Sequence, residues 1–519
     1  MRGTRNRRET AILVFGAVSC ALLLYRQIAQ YAALTWYGDS LTNILAVQSI
    51  LETGLPYAQP PVGSANYTGD APHLLALTYA AELYARFPFY LLSRWVDFDW
   101  IPWSALAYAL LLLGWLIRRG PPEGVPVAHL ALFLVMFTSS SLVSSAFWHC
   151  RYPPFLVMVV AACHFGCVRL AHDRQAGGWL PVLALALVPA LFHLTALAIF
   201  FYWLGFLVVT RGAQSPGKAI ALSIPAVAFA AGLAWKNRGY LPLEGFHAGI
   251  LPRFFWVSIG TKLHHALPYV AVLGGGVALR ERLSPHERRL AAHAAAIVVF
   301  SLACFCFVGS RKMASNPINY FLFLHPLWVL LLSLALAAPL ELLLAKARNE
   351  ASAVLFFAAY TLVAVSVVRF GGLRFDPHGL TRSEVAALGA LAAEDPRMIF
   401  FGADAAFFAL HFPRHRSYTL RDTPDPAALR LNQPVGLLFL ASNSHVQNIY
   451  GETLAGSVEG FCRAVREHPG TSAVFFRARP SDLTPELEQR LRTSGLARDL
   501  APVKTETLLA RICAVTDSP

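Results

Sequence analysis

Long apolar runs, broken by short polar and basic stretches, recur through roughly the first 370 residues. Each approaches the length a helix needs to cross a bilayer, about 20 residues. Few folds are open to such a chain. A segment without polar side chains must be buried in protein or in lipid, and in lipid only a helix or a closed barrel satisfies its own backbone. Composition favours lipid: 56% of residues are hydrophobic and 14% charged, against about 45–50% and about 25% in ordinary soluble domains.

The runs read as about eleven spans: 11–30, 100–117, 127–144, 155–171, 179–192, 194–210, 219–234, 267–280, 291–309, 318–345 and 351–369. The region from Trp179 to Thr210 can be one long tilted helix or two short ones hinged near His193. Charge decides between them. Arg118, Arg119, Arg280, Arg282, Arg288, Arg289, Lys346 and Arg348 all fall in loops on the side of the basic N-terminus only if this region crosses twice. Two helices therefore satisfy the positive-inside rule. The formal net charge of +13 is then a topology signal, and no nucleic-acid partner is implied.

Arg2 to Arg8 precede the first apolar run with no small-residue cleavage site after it. That predicts a retained signal-anchor, N-terminus in the cytoplasm, in a multi-pass protein of the inner (cytoplasmic) membrane. Residues 1–370 form the transmembrane domain, with 31–99 as its first outer loop, and 371–519 a soluble extracytoplasmic domain. Met398–Phe401, Leu437–Leu440 and Ala473–Phe476 read as buried strands. Helical patterns at Leu454–Glu467 and Pro485–Thr493 lie between and after them, which predicts a small α/β fold. Cys163 and Cys167 fall inside a span and read as inert packing residues. Cys462 and Cys513, in the tail, are open either to a disulfide or to remaining free.

The first outer loop carries the candidate chemistry. After Trp36-Tyr37-Gly38-Asp39, apolar residues recur at Ile44, Leu45, Val47, Ile50 and Leu51, near helical spacing, and Gly54 is placed to stop the helix. A second amphipathic segment runs from Pro72 to Tyr90, and both segments are suited to the membrane interface. Asp39 sits at the N-cap, where a carboxylate accepts orphan amide hydrogens. The same carboxylate, at a bilayer face, is also a base suited to drawing a proton from an acceptor hydroxyl. Both readings stand on the residues alone. For a lipid phosphate the outer-face cations are Arg151, Arg253, Lys262, Arg311 and Lys312; a guanidinium can fork onto phosphate, and Arg151 is foremost because it lies against a span, directly before Tyr152-Pro153-Pro154. Snorkelling to lipid headgroups is the competing role. His73, His264 and His265 also fall in outer loops, without the ligand spacing of a metal site.

These pieces, in order, resemble the GT-C glycosyltransferases: a basic N-terminus and span, an aromatic-flanked Asp39, a helix ending Gly54-Leu55-Pro56, and a Pro72-led second helix. His149-Cys150-Arg151-Tyr152-Pro153, Phe192-His193-Leu194-Thr195-Ala196 and Asn319–Leu327 are similar to later motifs of the same family. The bacterial members related to protein O-mannosyltransferases and lipid A aminoarabinose transferases are the nearest in pattern. The resemblance covers about residues 1–370.

It implies a polyprenyl-phosphate sugar donor and a glycan, lipid or protein acceptor. Transfer would occur on the outer face, with inversion and with Asp39 as base. Arg151, Tyr152, Asp70, His73, His265, Arg311 and Lys312 become the substrate-binding set. The resemblance makes a divalent metal possible, but many members carry Asp-Glu where this chain has Asp39-Ser40, which counts against it, and no metal ligand is assigned. Asp70, and Asp97 or Asp99, are the candidates to replace the missing second acid. Two further function classes fit the sequence: a transporter or flippase of a lipid-linked saccharide, and a catalytically silent membrane partner that binds through its outer domain.

Overall fold

A computed structural model of the chain describes residues 7–32, 39–56, 76–96, 100–119, 124–140, 154–172, 179–211, 216–236, 247–253, 280–308 and 322–371, and the strand residues 399–402, 416–419, 435–438, 474–476 and 503–504. The chain divides into two compact units. One comprises residues 1–29 and 76–375, the other 30–75 and 376–519. The first outer loop is thus shared, its leading part grouped with the tail and its trailing part with the helical body.

Among the described residues the helical body is built from α1 (Arg7–Ala32), α3 (Ala76–Trp95), α4 (Ser104–Arg119), α5 (Val127–Ser139), α6 (Pro154–His172), α7 (Trp179–Phe192), α8 (Leu197–Arg211), α9 (Pro216–Lys236), α10 (Pro285–Val308), α11 (His325–Ala345) and α12 (Glu350–Gly371). The helix α2 (Asp39–Thr53) precedes α3 in the chain. These helices fall on ten of the expected spans. The eleventh, 267–280, lies outside the described residues apart from its last residue.

Helix starts follow from local chemistry. Pro126 precedes α5 as its N-cap, where a missing N–H costs nothing. Before α10, Ser284 and Glu287 cap each other. The Glu287 N–H donates to Ser284 Oγ at 3.2 Å and the Ser284 N–H donates to Glu287 Oε2 at 2.8 Å. This is a capping box with Pro285 at the first helical position. Asn349 and Ser352 make the same reciprocal pair before α12, at 2.8 and 3.1 Å.

The helix α5 is the hub, with all thirteen residues buried. It packs against α11 and α12, and Gly16 of α1 lies so close that an added Cβ would stand 3.0 Å from Ala131 Cβ. The apolar core draws on α1 and on every helix from α4 to α12.

The outside of the body is also apolar: Val209 is 77% exposed, Leu362 71% and Leu111 68%, while His129, His164, His293 and His325 are buried. A surface of that kind is stable against lipid tails and unstable in water. The protein is a membrane-embedded helical protein. Among the described residues two helices are long and apolar enough to cross a bilayer (Arg7–Arg26 and Pro285–Phe307), and α11, bent by 44° ahead of Pro339, is a third if it counts as one span. Seven shorter apolar helices accompany them. The bend falls where proline removes a helical hydrogen bond.

The second unit contains α2 and a five-stranded sheet. The strands are β1 (Ile399–Gly402), β2 (Arg416–Thr419), β3 (Val435–Leu438), β4 (Val474–Phe476) and β5 (Val503–Lys504), in the spatial order β2-β1-β3-β4-β5. The pairs β1–β2, β1–β3 and β3–β4 are parallel and β4–β5 is antiparallel. In register, Phe401 stands between Tyr418 and Leu437.

Candidate functional site

The helix α2 opens at Asp39. That puts the residue at the positive end of the helix dipole, which favours an anionic carboxylate. At the other end Gly54 takes φ +76° and its N–H donates to Ile50 O at 2.9 Å. Glycine reaches this left-handed conformation without steric penalty. The Ser49 and Thr53 hydroxyls both reach Leu55 O, at 2.8 and 3.0 Å. The expected stop at Gly54 is therefore built as a locked turn. Asp70, His73, Arg151, Tyr152, His265, Arg311 and Lys312 lie outside the described residues, as do Asp97, Asp99, Lys262, His264, Cys462 and Cys513.

The question over 179–210 has a definite answer: two helices, α7 and α8, broken at His193. The Thr195 N–H donates to His193 Nδ1 at 3.2 Å and Thr195 Oγ1 lies 2.6 Å from the same nitrogen. Since Nδ1 accepts from the amide, Nε2 is the protonated nitrogen of the neutral ring. The Ala196 N–H donates to His193 O at 3.0 Å, closing a 3-10 turn over Leu194–Ala196. Histidine and threonine two apart thus hold the hinge.

The two charges of the second amphipathic segment, Glu82 and Arg86, form a pair in α3. Arg86 Nε donates to Glu82 Oε1 at 2.9 Å, and Arg86 Nη1 donates to Ser104 Oγ at 3.1 Å. Ser104 Oγ in turn donates to Ile101 O at 2.7 Å, and the Tyr108 hydroxyl donates to Ala85 O at 3.0 Å. A helix lying in the membrane interface would turn such charges toward water. Instead both are buried, Glu82 at 0% and Arg86 at 1% exposure, because α3 packs against α7, the 194–196 turn and α4. Burial pushes the Glu82 carboxyl up to about 7 against the opposing pull of Arg86. Among the described residues its second oxygen, Oε2, has no hydrogen-bond partner. The only sequence signal for this pair is a Glu→Arg spacing of four in an apolar setting.

Two further polar clusters lie in the helical body. His129 Nδ1 bonds Glu287 Oε1, and His129 Nε2 is 3.4 Å from Glu341 Oε1. Ser284 Oγ donates to Gly124 O at 2.9 Å beside them. The second cluster is a chain: Tyr202 OH lies 2.6 Å from His293 Nδ1, and His293 Nε2 lies 3.1 Å from His172 Nε2. Among the described residues no three His, Cys, Asp or Glu side chains are grouped to hold a metal ion. Cys163 and Cys167 are buried in α6 as free thiols.

Searches against protein-family models and against curated proteins returned no match for this sequence.

Proposed function

We propose that this protein is an integral-membrane glycosyltransferase of the GT-C type. It transfers a sugar from a polyprenyl phosphate to an acceptor hydroxyl on the outer face of the cytoplasmic membrane. Asp39 takes the hydroxyl proton as the oxygen attacks the anomeric carbon with inversion. The lipid phosphate leaves with the bonding electrons and is met by a guanidinium, Arg151 in the first instance. Positive charge at the point where phosphate charge develops is what such a step requires.

The observation that carries the reading is the helix start at Asp39, seven residues beyond the end of α1. A carboxylate at a helix N-terminus stays ionised and so remains able to act as a base. The eleven-span topology has independent support. It requires the starts of α5 and α10 and the end of α11 to share one membrane face, and His129, Glu287 and Glu341 bring those three ends together. It also puts the end of α5 and the start of α11 on the opposite face together, in keeping with Ser140 Oγ lying 2.5 Å from His325 Nε2. For the tail, three parallel strand pairings support an α/β fold, because parallel neighbours need long crossovers, usually helical. The test is sugar transfer from a panel of radiolabelled polyprenyl-phosphate sugars, comparing the parent with Asp39→Asn in lipid.

One observation favours the transporter reading. The Tyr202–His293–His172 chain places ionisable groups inside the helical body, and such groups in membrane helices often line transport paths. Flipping of a fluorescent lipid-linked saccharide in proteoliposomes, lost in His293→Leu, would support it over transfer.

A further inference from the structure

The helix that begins at Asp39 buries one side deeply: Ala46 is 0% exposed, Val47 1%, Ser49 1%, Ile44 4% and Ile50 6%. A helix of fifteen residues is marginal alone in water and is held by whatever covers its apolar side. These apolar residues stand apart from the apolar cluster that joins α1 and α4 to α12, as does Leu83 of α3. The segment 30–75 instead groups with residues 376–519, the part of the chain that forms the sheet.

We infer that the C-terminal domain is the scaffold of the Asp39 helix. The stretch bearing the proposed base folds cooperatively with the sheet, and the sheet fixes the direction in which that helix N-terminus points. The domain is therefore a positioning element for the proposed base. The catalytic half of this inference rests on the reading of Asp39 as base; the structural half does not.

Cooperative units open together, with one free energy and one denaturant dependence. The test is native-state hydrogen exchange on the full chain in lipid nanodiscs under increasing urea. The expected result is that amides of 39–53 merge onto the same exchange isotherm as those of 399–402 and 435–438, apart from the isotherm of α5 and α11. Separate isotherms for 39–53 and the strands, or a merger of 39–53 with α5, overturn the inference.

Transfer assays then separate the two claims. Leu437→Ala in β3, a strand paired on both sides, is expected to lower kcat at least fivefold with the donor KM unchanged. Its exchange should rise in 39–53 as well as in the strands. A shared isotherm with no transfer from any donor retains the scaffold and removes the glycosyltransferase reading. Transfer with separate isotherms does the reverse.

Discussion

Glu82 and Arg86 face one another across one turn of α3, Oε1 to Nη2 at 2.8 Å, with side chains 0% and 1% exposed. Two charges taken out of water together are held by each other, and Arg86 also donates to Ser104. Removing one partner of such a pair commonly costs about 3–5 kcal/mol. Arg86→Met is expected to destabilise the protein by that order at pH 8, where Glu82 is ionised. The loss should be much smaller at pH 5, where the carboxyl is protonated. Chemical unfolding at the two pH values checks this.

The same carboxyl sets a pH dependence. Its folded value of about 7 lies above the ordinary 4.5, so between those values the folded chain binds more protons than the unfolded one. Stability then falls as pH rises. The contribution is fully present below about pH 4.5 and lost as pH passes through about 7, a change of about 3 kcal/mol at most. Glu82→Gln should flatten the stability profile over pH 5 to 8. An unchanged slope in that variant would assign the titration to another group.

Gly16 of α1 packs directly on Ala131 of α5, with no room for a further side chain between them. A valine at position 16 drives two branch methyls into that contact, and overpacking of this kind costs about 1–3 kcal/mol. Gly16→Val should lower the unfolding temperature, and adding Ala131→Gly should restore part of it. Additive losses in the double variant would show that the two residues do not share the contact.

At the hinge, Thr195→Val removes the hydroxyl beside His193 Nδ1. The loss should be about 1 kcal/mol, the usual worth of one hydrogen bond. Hydrogen exchange at Leu194–Ala196 should rise while the centre of α7 is unaffected.

The elements that could be read from sequence are those set by local pattern. The apolar helices rest on hydropathy, the stop at Gly54 on glycine's left-handed backbone, and the break at His193 on charge parity. Strands β1, β3 and β4 lie within a residue or two of the apolar runs that announced them. Strands β2 and β5 did not announce themselves: Arg416–Thr419 and Val503–Lys504 sit at the two edges of the sheet. Edge strands need no continuous apolar run, so hydropathy is silent there. The inward turn of Glu82 and Arg86 was equally hidden. Spacing puts both on one face of a helix, and only the packing of α3 against α7 decides which way that face looks. The pairing of His129 with Glu287 joins residues 158 apart and has no local signature. Of the expected site, Asp39 alone falls on a described element, because the other members lie in stretches outside the described residues.

The most direct measurement is sugar transfer by the purified protein in lipid, parent against Asp39→Asn, with folding of both verified by their unfolding temperatures. A catalytic base predicts transfer by the parent from at least one polyprenyl-phosphate sugar and a fall of at least a hundredfold in Asp39→Asn. Equal transfer by the two proteins would contradict it and leave Asp39 as the cap of its helix.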